Sequence, residues 1–400
     1  MKKYFFLMFL FQFFLSSSYL FASPVDFYRD NDWNIFPVPI VKYSPAEGPT
    51  YGLMPVVTAS DNQRLKTIIA FAETYNDITD FSTFLAVYIY PNDYTIFTFF
   101  GELGQNFARE GLLRYRTSPI GKGALLFGIE FNYLQYPFER FYGFGPNTPK
   151  SNQTNFVSEQ FLGDLFGGYR FTDTISMKMG FRIEDWTLHP RAIPRLADTK
   201  TFFAGNKEVV DSLALMKRVE FIYDTHENEF AHKGELLSFS TFTSFDELGS
   251  DFTFYGYQLR GKITNDSLGE RFTTVVSTFL EQRFGDTIPF YFQSYLGGEN
   301  YLRAFVKRRF TAHHRFSFDL EERIEVARYI FFDTETIFSI DPFFSFGQVF
   351  DQWGEIEKDA IQPVGGIGIR LKAQPAVVGR LDIAFGREGY EVYATLDYPF

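Results

Sequence analysis

The 400-residue chain has no cysteine, only three tryptophans and no excess of positive charge. The absence of cysteine excludes a disulfide framework and a thiolate metal site. The formal charge of −11 is opposite in sign to the basic face that nucleic-acid binding needs, so we expect no nucleic-acid partner. Zinc-ligand spacings, phosphate loops and nucleophile elbows are also missing from the sequence. We therefore predict a protein that needs no cofactor or metal and is not an enzyme.

Beyond its N-terminus, the sequence has no apolar run long enough for a transmembrane helix. Met1 is followed by two lysines, and residues 4–15 are almost all apolar. This run is shorter than the roughly 20 residues that a spanning helix requires. A basic start, a short apolar run and a stretch of small residues ending near Ala22 are typical of a secretory signal peptide. We predict that residues 1–22 are cleaved and that residues 23–400 form a single domain.

Phenylalanine and tyrosine, in contrast, are abundant, with 53 and 24 residues. Aromatic residues favour strands, and from Asn34 onward apolar and polar residues alternate between turn signals. This pattern indicates sixteen to eighteen strands. The predicted strands cover residues 34–43, 51–58, 65–73, 81–90, 94–102, 124–134, 156–165, 170–184, 217–224, 235–243, 252–261, 271–282, 314–326, 336–349, 364–371, 380–386 and 391–400.

Charged residues of the last predicted strands share one face. In residues 314–326 the odd positions are mostly charged and the even ones mostly apolar. A charge facing lipid at the bilayer midplane would cost about 2–4 kcal/mol, so we predict that this face lines a wet lumen. The lumen residues predicted in this way are Asp319, Glu321, Arg323, Asp341, Arg370, Arg380 and Asp382.

The end of the chain and the lengths of its loops favour a membrane barrel. The last strand alternates in the same way and presents Leu396, Tyr398 and Phe400 on its apolar face. Long connections near residues 135–155, 185–213, 283–312 and 350–362 alternate with tight turns, as in outer-membrane barrels. We therefore predict an all-β protein, a transmembrane antiparallel β-barrel in the bacterial outer membrane. An edge strand of a soluble β-sandwich is the alternative reading of the C-terminal segment.

One external loop has an unusual arginine. Residues 296–305 read LGGENYLRAF, which places Arg303 between apolar and aromatic neighbours. A desolvated arginine needs a carboxylate partner, and its planar fork suits one. We predict that the loop folds into the barrel and that Arg303 pairs with Asp319, Glu321 or Asp341. The alternative is an ordinary surface arginine.

This loop resembles the GG-x-x-x-[VIL]-R-G-[FY] signature of the bacterial surface antigen superfamily, which includes BamA-type, TamA-type and two-partner-secretion barrels. Ala304 stands at the position of the family glycine, and Ser345 at that of an aspartate in the family's FVDAGNV strand. Residues 36–52, 141–147 and 223–234, and the closing strands near the C-terminus, resemble further family motifs in the same order. The loop residues that match the signature are Gly297, Gly298, Leu302, Arg303 and Phe305.

The resemblance implies a sixteen-stranded barrel whose first and last strands meet at a weak seam. Family members use this seam to insert barrel proteins or to pass chains or lipids, and unpaired edge groups can template a client strand. They normally carry periplasmic POTRA domains, for which this sequence leaves no room before its first strand. We therefore expect a barrel-only protein that assists protein insertion or translocation, or handles lipid. The expected partners are outer-membrane lipid, the barrel-assembly machinery for its own insertion, unfolded protein clients and a separate periplasmic protein.

Two other function classes stay open from the sequence. The first is a passive pore or a structural surface protein, which a large and steady single-channel conductance would favour. The second is an outer-membrane hydrolase, in which a histidine would activate a neighbouring nucleophile. Of the five histidines, His313 and His314 lie near the predicted outer rim and are the candidates for that role.

Overall fold

The computed structural model of the chain describes residues 32–61, 64–92, 94–120, 123–226, 231–266, 269, 271–331, 334–373 and 377–397. The predicted signal peptide lies outside these residues, as do Tyr398 and Phe400. Leu396 is described by its main chain, which pairs with Gly379. Within the described part, every helix is too short or too polar to cross a membrane.

The described chain is almost entirely β-structure. Its one short α-helix, α1, covers Thr199–Phe202. The strands are β1 Asp32–Ser44, β2 Gly48–Asp61, β3 Arg64–Asn76, β4 Asp80–Asn92, β5 Thr95–Gly104, β6 Arg109–Ile120, β7 Leu125–Phe141, β8 Thr154–Arg170, β9 Ile175–His189, β10 Ala197–Asp198, β11 Ser212–Asp224, β12 Gly234–Ser244, β13 Phe254–Asp266, β14 Phe272–Phe284, β15 Ser294–Leu296, β16 Phe310–Ala312, β17 His314–Phe331, β18 Thr334–Phe350, β19 Gln362–Ala373, β20 Val377–Gly386 and β21 Gly389–Asp397.

Eighteen of these strands form one closed antiparallel barrel, and β10, β15 and β16 belong to its loops. The expectation of sixteen strands is therefore wrong. The segment missing from the predicted strands is β6, where Leu112 and Leu113 are adjacent and hide the alternation. Two arginines follow on the lumen side, and one of them, Arg114, pairs with Glu130 of β7 at 2.6 Å. An arginine-rich strand is thus stable here because the barrel supplies an acidic neighbour.

The two ends of the barrel differ. Residues 142–153, 190–211, 285–313 and 351–361 form long connections at one end, which we call the long-loop end. At the other, the short-turn end, the chain reverses in tighter connections such as residues 171–174. The first residue of β1 and the last of β21 also lie at the short-turn end, because an even number of strands separates them. The predicted alternation of long loops and tight turns is therefore present.

The predicted inward and outward faces are also present in β17. Arg315, Ser317 and Glu321 are buried in the lumen, whereas Leu320 points outward and is 39% exposed. The alternation changes only at a bulge after Glu325, where the register with β18 shifts.

Residues 285–313, which we call the plug loop, fold back into the lumen. Its Phe290, Tyr291 and Phe292 join a buried apolar cluster with Phe141 and Trp186 of the wall. Trp186 stacks on Tyr291 with ring centroids 4.5 Å apart. Aromatic rings that bury this much apolar area dominate core energetics. The long-loop end of the lumen is therefore filled by a side-chain core.

Candidate functional site

The plug loop reverses direction at two adjacent glycines. Gly297 and Gly298 have φ angles of 105° and 106°, in the left-handed region that favours glycine. A Cβ atom at Gly297 would lie 2.3 Å from the carbonyl oxygen of Val306, so no other residue fits. The reversal buries Leu302 and Phe305 completely against the wall, in a cluster with Phe343, Val349 and Val364.

Arg303 extends from this reversal to the barrel wall. Its Nη2 donates to Glu321 Oε2 at 2.7 Å, and its Nη1 lies 3.4 Å from Asp382 Oδ1. The guanidinium also lies over the ring of Phe343, 4.0 Å from its centroid, in a cation–π contact. Only 13% of the Arg303 side chain is exposed. The loop arginine is therefore held by charge and by ring stacking at once.

Of the three partners predicted for Arg303, the structure brings only Glu321 to it. Asp319 instead accepts a hydrogen bond of 2.5 Å from Ser345, the serine at the position of the family aspartate. Asp341 lies 3.5 Å from Arg370. The second partner of Arg303 is Asp382, which the sequence places among the lumen charges but does not connect with the loop.

These contacts belong to a compact charge cluster on β17–β20. Arg370 and Arg380 contact Asp382 at 2.7 and 2.5 Å, and Arg323 contacts Glu321 at 3.0 Å. Arg380 also donates to the backbone oxygen of Glu299 in the plug loop, at 2.5 Å. Removing one member of a buried pair costs more than the pair contributes, because an uncompensated charge stays behind. The cluster therefore fixes the plug loop to four neighbouring strands.

Ala304 stands where the family has glycine, and a glycine of the barrel wall, Gly386, lies beside it. A Cβ atom at Gly386 of β20 would lie only 2.9 Å from the Cβ of Ala304. The methyl group of Ala304 therefore occupies the space that a side chain at position 386 would need.

The plug loop makes a second set of contacts with the last hairpin, β20–β21. Arg309 pairs with Glu388 in the turn of this hairpin at 2.6 Å and donates to the backbone oxygen of Thr148 at 2.6 Å. Tyr393 of β21 donates its hydroxyl to the backbone oxygen of Phe305 at 2.8 Å. The sequence analysis missed these residues, although the Lys307–Arg309 run in a mostly apolar loop was a signal.

On its other side, the plug loop contacts β7. Lys307 pairs with Glu139 at 3.0 Å. The neighbouring Arg140 donates to the backbone oxygen of Ala46 at 2.7 Å, and the hydroxyl of Tyr136 bonds to the Glu47 carboxylate. Ala46 and Glu47 form the turn between β1 and β2. The plug loop and β7 therefore connect the first hairpin of the barrel with the last one.

The first and last strands close the barrel, and their described residues show little register pairing with each other. β1 pairs with β2 along all thirteen of its residues, and β21 pairs with β20 along all nine of its own. Between β1 and β21, however, the described residues form a single register pair, Tyr43 with Ala394. We call this junction the seam.

Two prolines lie in the middle of β1. Pro37 lies opposite Pro55, and Pro39 lies two residues further along β1. Neither can donate a backbone hydrogen bond. The register with β2 runs unbroken through both positions, so the missing donors belong to the other edge of β1. Prolines are tolerated in this way on edge strands. The edge that faces β21 therefore lacks two N–H groups.

The histidines do not assemble a hydrolytic site on the described residues. His313 lies between two carboxylates, 3.2 Å from Asp351 and 3.8 Å from Glu208. These two carboxylates, Asp351 first, raise the pKa of His313 from its ordinary 6.5 to about 9. His314 packs against the ring of Phe350. His313 thus joins three long-loop segments as a cation.

One histidine contacts a carboxylate through one ring nitrogen and a hydroxyl group through the other. His226 contacts Asp224 at 2.7 Å through Nδ1 and Thr264 at 3.1 Å through Nε2. Thr264 is only 3% exposed, so its hydroxyl is covered and not presented to a substrate. The remaining histidines, His189 and His232, contact Glu159 and Thr273, each at 2.7 Å.

Comparison with known proteins shows the fold. No family model and no curated protein matches the sequence. BamA from Haemophilus ducreyi lacking POTRA domains 1–3 is similar in structure, with a TM-score of 0.53 at 13% identity over 92% of this chain and 71% of that chain. CdiB from Escherichia coli has a TM-score of 0.51 at 9% identity, covering 92% and 63%. At fold level the chain is therefore an antiparallel barrel of the kind found in BamA and CdiB.

A lower similarity extends to a barrel of another kind. OprD from Pseudomonas aeruginosa gives a TM-score of 0.42 at 10% identity, covering 93% of this chain and 96% of that chain. A score this low carries no functional argument. The function has to be inferred from the seam and the plug loop.

Proposed function

We propose that this chain is an outer-membrane barrel that assists the insertion or translocation of proteins through its seam, without catalysing a reaction. The observation that carries the proposal is that the described residues of β1 and β21 form a single register pair, Tyr43 with Ala394, whereas β1 pairs with β2 along its whole length. An exposed strand edge can pair with an added strand of another chain. Lateral opening would free such an edge on both β1 and β21. The same opening would also admit lipid, so the proposal includes lipid handling as a second form of this function.

The plug loop supports the lateral route over an axial one. The apolar cluster of Phe290, Tyr291 and Trp186 fills the lumen at the long-loop end. A route along the axis requires this core to be dismantled, whereas a route through the seam requires one strand pair to separate. This difference disfavours the passive pore as the alternative function.

The proposed role of the Arg303 contacts is to lock the plug loop inside the barrel. Gly297 and Gly298 allow the reversal, Leu302 and Phe305 bury it, and Arg303 pairs with the wall. A locked plug loop would keep the axis closed while the seam opens.

The barrel's outer surface fits a membrane location. Ile35, Leu103, Ile330 and Phe385 are among the outward residues, each at least 59% exposed. An apolar band of this kind is what lipid covers on a membrane barrel. We propose the outer membrane as its location, lipid and the barrel-assembly machinery as partners in its own insertion, and unfolded proteins as clients.

Engineered disulfides would test the seam. Tyr43→Cys with Ala394→Cys joins the one register pair of the seam, and the natural chain has no cysteine to interfere. The matched control, Val41→Cys with Tyr51→Cys, joins β1 to β2, its permanent neighbour. Both variants are reconstituted in liposomes, and the insertion of an unfolded barrel client is followed with and without reductant.

We expect the barrel to accelerate insertion, the oxidised seam variant to abolish the acceleration, and the oxidised control to retain it. No acceleration in any form, together with a large and steady conductance, would favour a passive pore instead. Equal acceleration by the oxidised seam variant and the control would show that the seam is not the route.

A further inference from the structure

Two cavities occupy the lumen below the plug loop. The first has a volume of about 850 Å³ and is lined by β6, β8, β9 and β11, with Arg308 and Tyr291 of the plug loop at its inner end. The second has a volume of about 1110 Å³ and lies beside β13, β14, β17 and β19. Both reach the short-turn end, because Asp173 of the β8–β9 turn lines the first and His232 of the β11–β12 connection lines the second.

Both cavities carry the opposite charge to the chain as a whole. The first is lined by seven arginine or lysine side chains and five aspartate or glutamate side chains, and the second by five and three. The whole chain has 38 basic and 49 acidic residues. The loops at the long-loop end share no single sign, since residues 245–253 contain three acidic residues and no basic one, whereas residues 285–313 contain four basic and two acidic residues. The excess of basic side chains is therefore a feature of the two cavities.

Several of the cavity cations are only partly neutralised. Arg116 lies 3.3 Å from Glu130, but this carboxylate already holds Arg114 at 2.6 Å, and 47% of the Arg116 side chain is exposed. Lys178 lies 3.7 Å from Glu220 and is 34% exposed. These cations differ from the tightly paired arginines of the charge cluster on β17–β20, and they remain available to an anion.

The inner end of the first cavity adds a buried cation. Arg308 is 6% exposed; its Nε lies 3.8 Å from Glu139 Oε2, and within the described part of the chain its Nη1 has no hydrogen-bond acceptor. Buried donors are normally hydrogen-bonded, so an open donor at a cavity wall indicates a place for an acceptor oxygen. Trp186, Tyr291 and Phe292 lie beside Arg308 and offer apolar surface there.

We propose that this positively charged end of the lumen binds an acidic segment of a polypeptide in extended form; the inference rests on the proposed translocation function and names its substrate class. The cations are spread over two walls and along the cavity depth, which suits carboxylates repeated along a chain better than one compact phosphate. A cleft with an excess of one sign of charge attracts ligands of the other sign and speeds their association. An acidic segment would therefore be collected at the short-turn end before the seam acts on it.

Binding can be measured apart from insertion. A fluorescently labelled peptide of alternating glutamate and serine is titrated against the detergent-solubilised protein, and its anisotropy is recorded. We expect saturable binding that weakens as salt is added, because partly exposed charges are screened. A lysine–serine peptide of the same length should not bind.

A charge variant and a matched control locate the site. Arg116→Gln with Lys178→Gln removes two cavity cations while Arg114 continues to pair with Glu130, and we expect about tenfold weaker binding, which corresponds to roughly 1.4 kcal/mol. Lys150→Gln with Lys358→Gln removes two cations from the long-loop end and should leave the affinity unchanged.

A fluorescence measurement reports on the inner end of the cavity. In a Trp33→Phe/Trp353→Phe background, Trp186 is the only tryptophan, and its emission should change on binding.

Three results would overturn the inference: equal binding of the two peptides, equal affinity of the two double variants, or displacement of the peptide by millimolar inorganic phosphate or by anionic-lipid micelles. The last result would assign the cations to a phosphate group. The oxidised Tyr43→Cys/Ala394→Cys protein separates this inference from the proposed function. Peptide binding to this closed barrel tests the cavity alone, and client insertion by a barrel that binds no acidic peptide would refute only the inference about the substrate.

Discussion

The seam and the wall formed by β17–β20 are separated by only one strand, yet they are built in opposite ways. The wall holds the plug loop through buried pairs such as Arg303–Glu321 and Arg370–Asp382, each 2.7 Å long. The seam holds β1 to β21 through the pair of Tyr43 and Ala394 alone within the described residues. Among the described residues, the contacts that hold the barrel closed therefore come more from the plug loop and the two outer hairpins than from backbone pairing at the seam.

The largest expected effect comes from the wall. Arg303→Ala leaves Glu321 and Asp382 with one cation fewer in a buried site, and breaking such a pair costs about 3–5 kcal/mol. We expect a lower free energy of unfolding in chemical denaturation and a lower temperature for the heat-induced gel shift, while export continues. Arg191→Ala, which changes an exposed arginine at the long-loop end, is the control. If the Arg303→Ala variant had the same heat resistance and insertion activity as the natural protein, Arg303 would not lock the plug loop.

A smaller effect is expected where the plug loop holds the last hairpin. Glu388→Gln weakens the charged hydrogen bonds from Arg309, and bonds of this kind contribute about 2 kcal/mol. We expect faster hydrogen exchange in β20–β21 and faster client insertion, because one restraint on the seam is lost. Glu357→Gln, an exposed glutamate of the 351–361 loop, is the control. Unchanged exchange in the hairpin would show that Arg309 does not restrain it.

Strengthening the seam should have the opposite effect on insertion. Pro39→Val gives β1 a backbone donor on the edge away from β2, and a backbone hydrogen bond contributes about 1 kcal/mol. We expect slower exchange in β1 and slower client insertion. Pro342→Val changes another exposed strand proline, on β18 away from the seam, and should leave insertion unchanged. Faster insertion by Pro39→Val would mean that the proline does not weaken the seam.

The sequence predicts the wall better than the seam, because alternation is local whereas pairing is not. Residues 314–326 reveal their two faces within the strand itself, and Arg303 draws notice by its apolar neighbours. The partner Asp382 lies 79 residues from Arg303, and only the closed ring of strands brings the two together. β6 escapes prediction because its adjacent Leu112 and Leu113 hide the alternation and because the acidic neighbour of its arginines is on another strand. Pro37 and Pro39 are visible in the sequence, but their meaning depends on which strand lies beside each edge of β1.

The smallest expected effect depends on pH and concerns the long loops on the wall side. His313 joins Asp351 and Glu208, and these carboxylates raise its pKa from 6.5 to about 9. Because the folded pKa is higher, this contribution to stability is complete below pH 6.5 and is lost as the pH rises through about 9. With 28% of the side chain exposed, we expect it to be below about 1 kcal/mol. The melting temperature should fall slightly more between pH 7 and 10 for the natural protein than for His313→Gln, whereas parallel curves would show that the histidine does not hold the loops together.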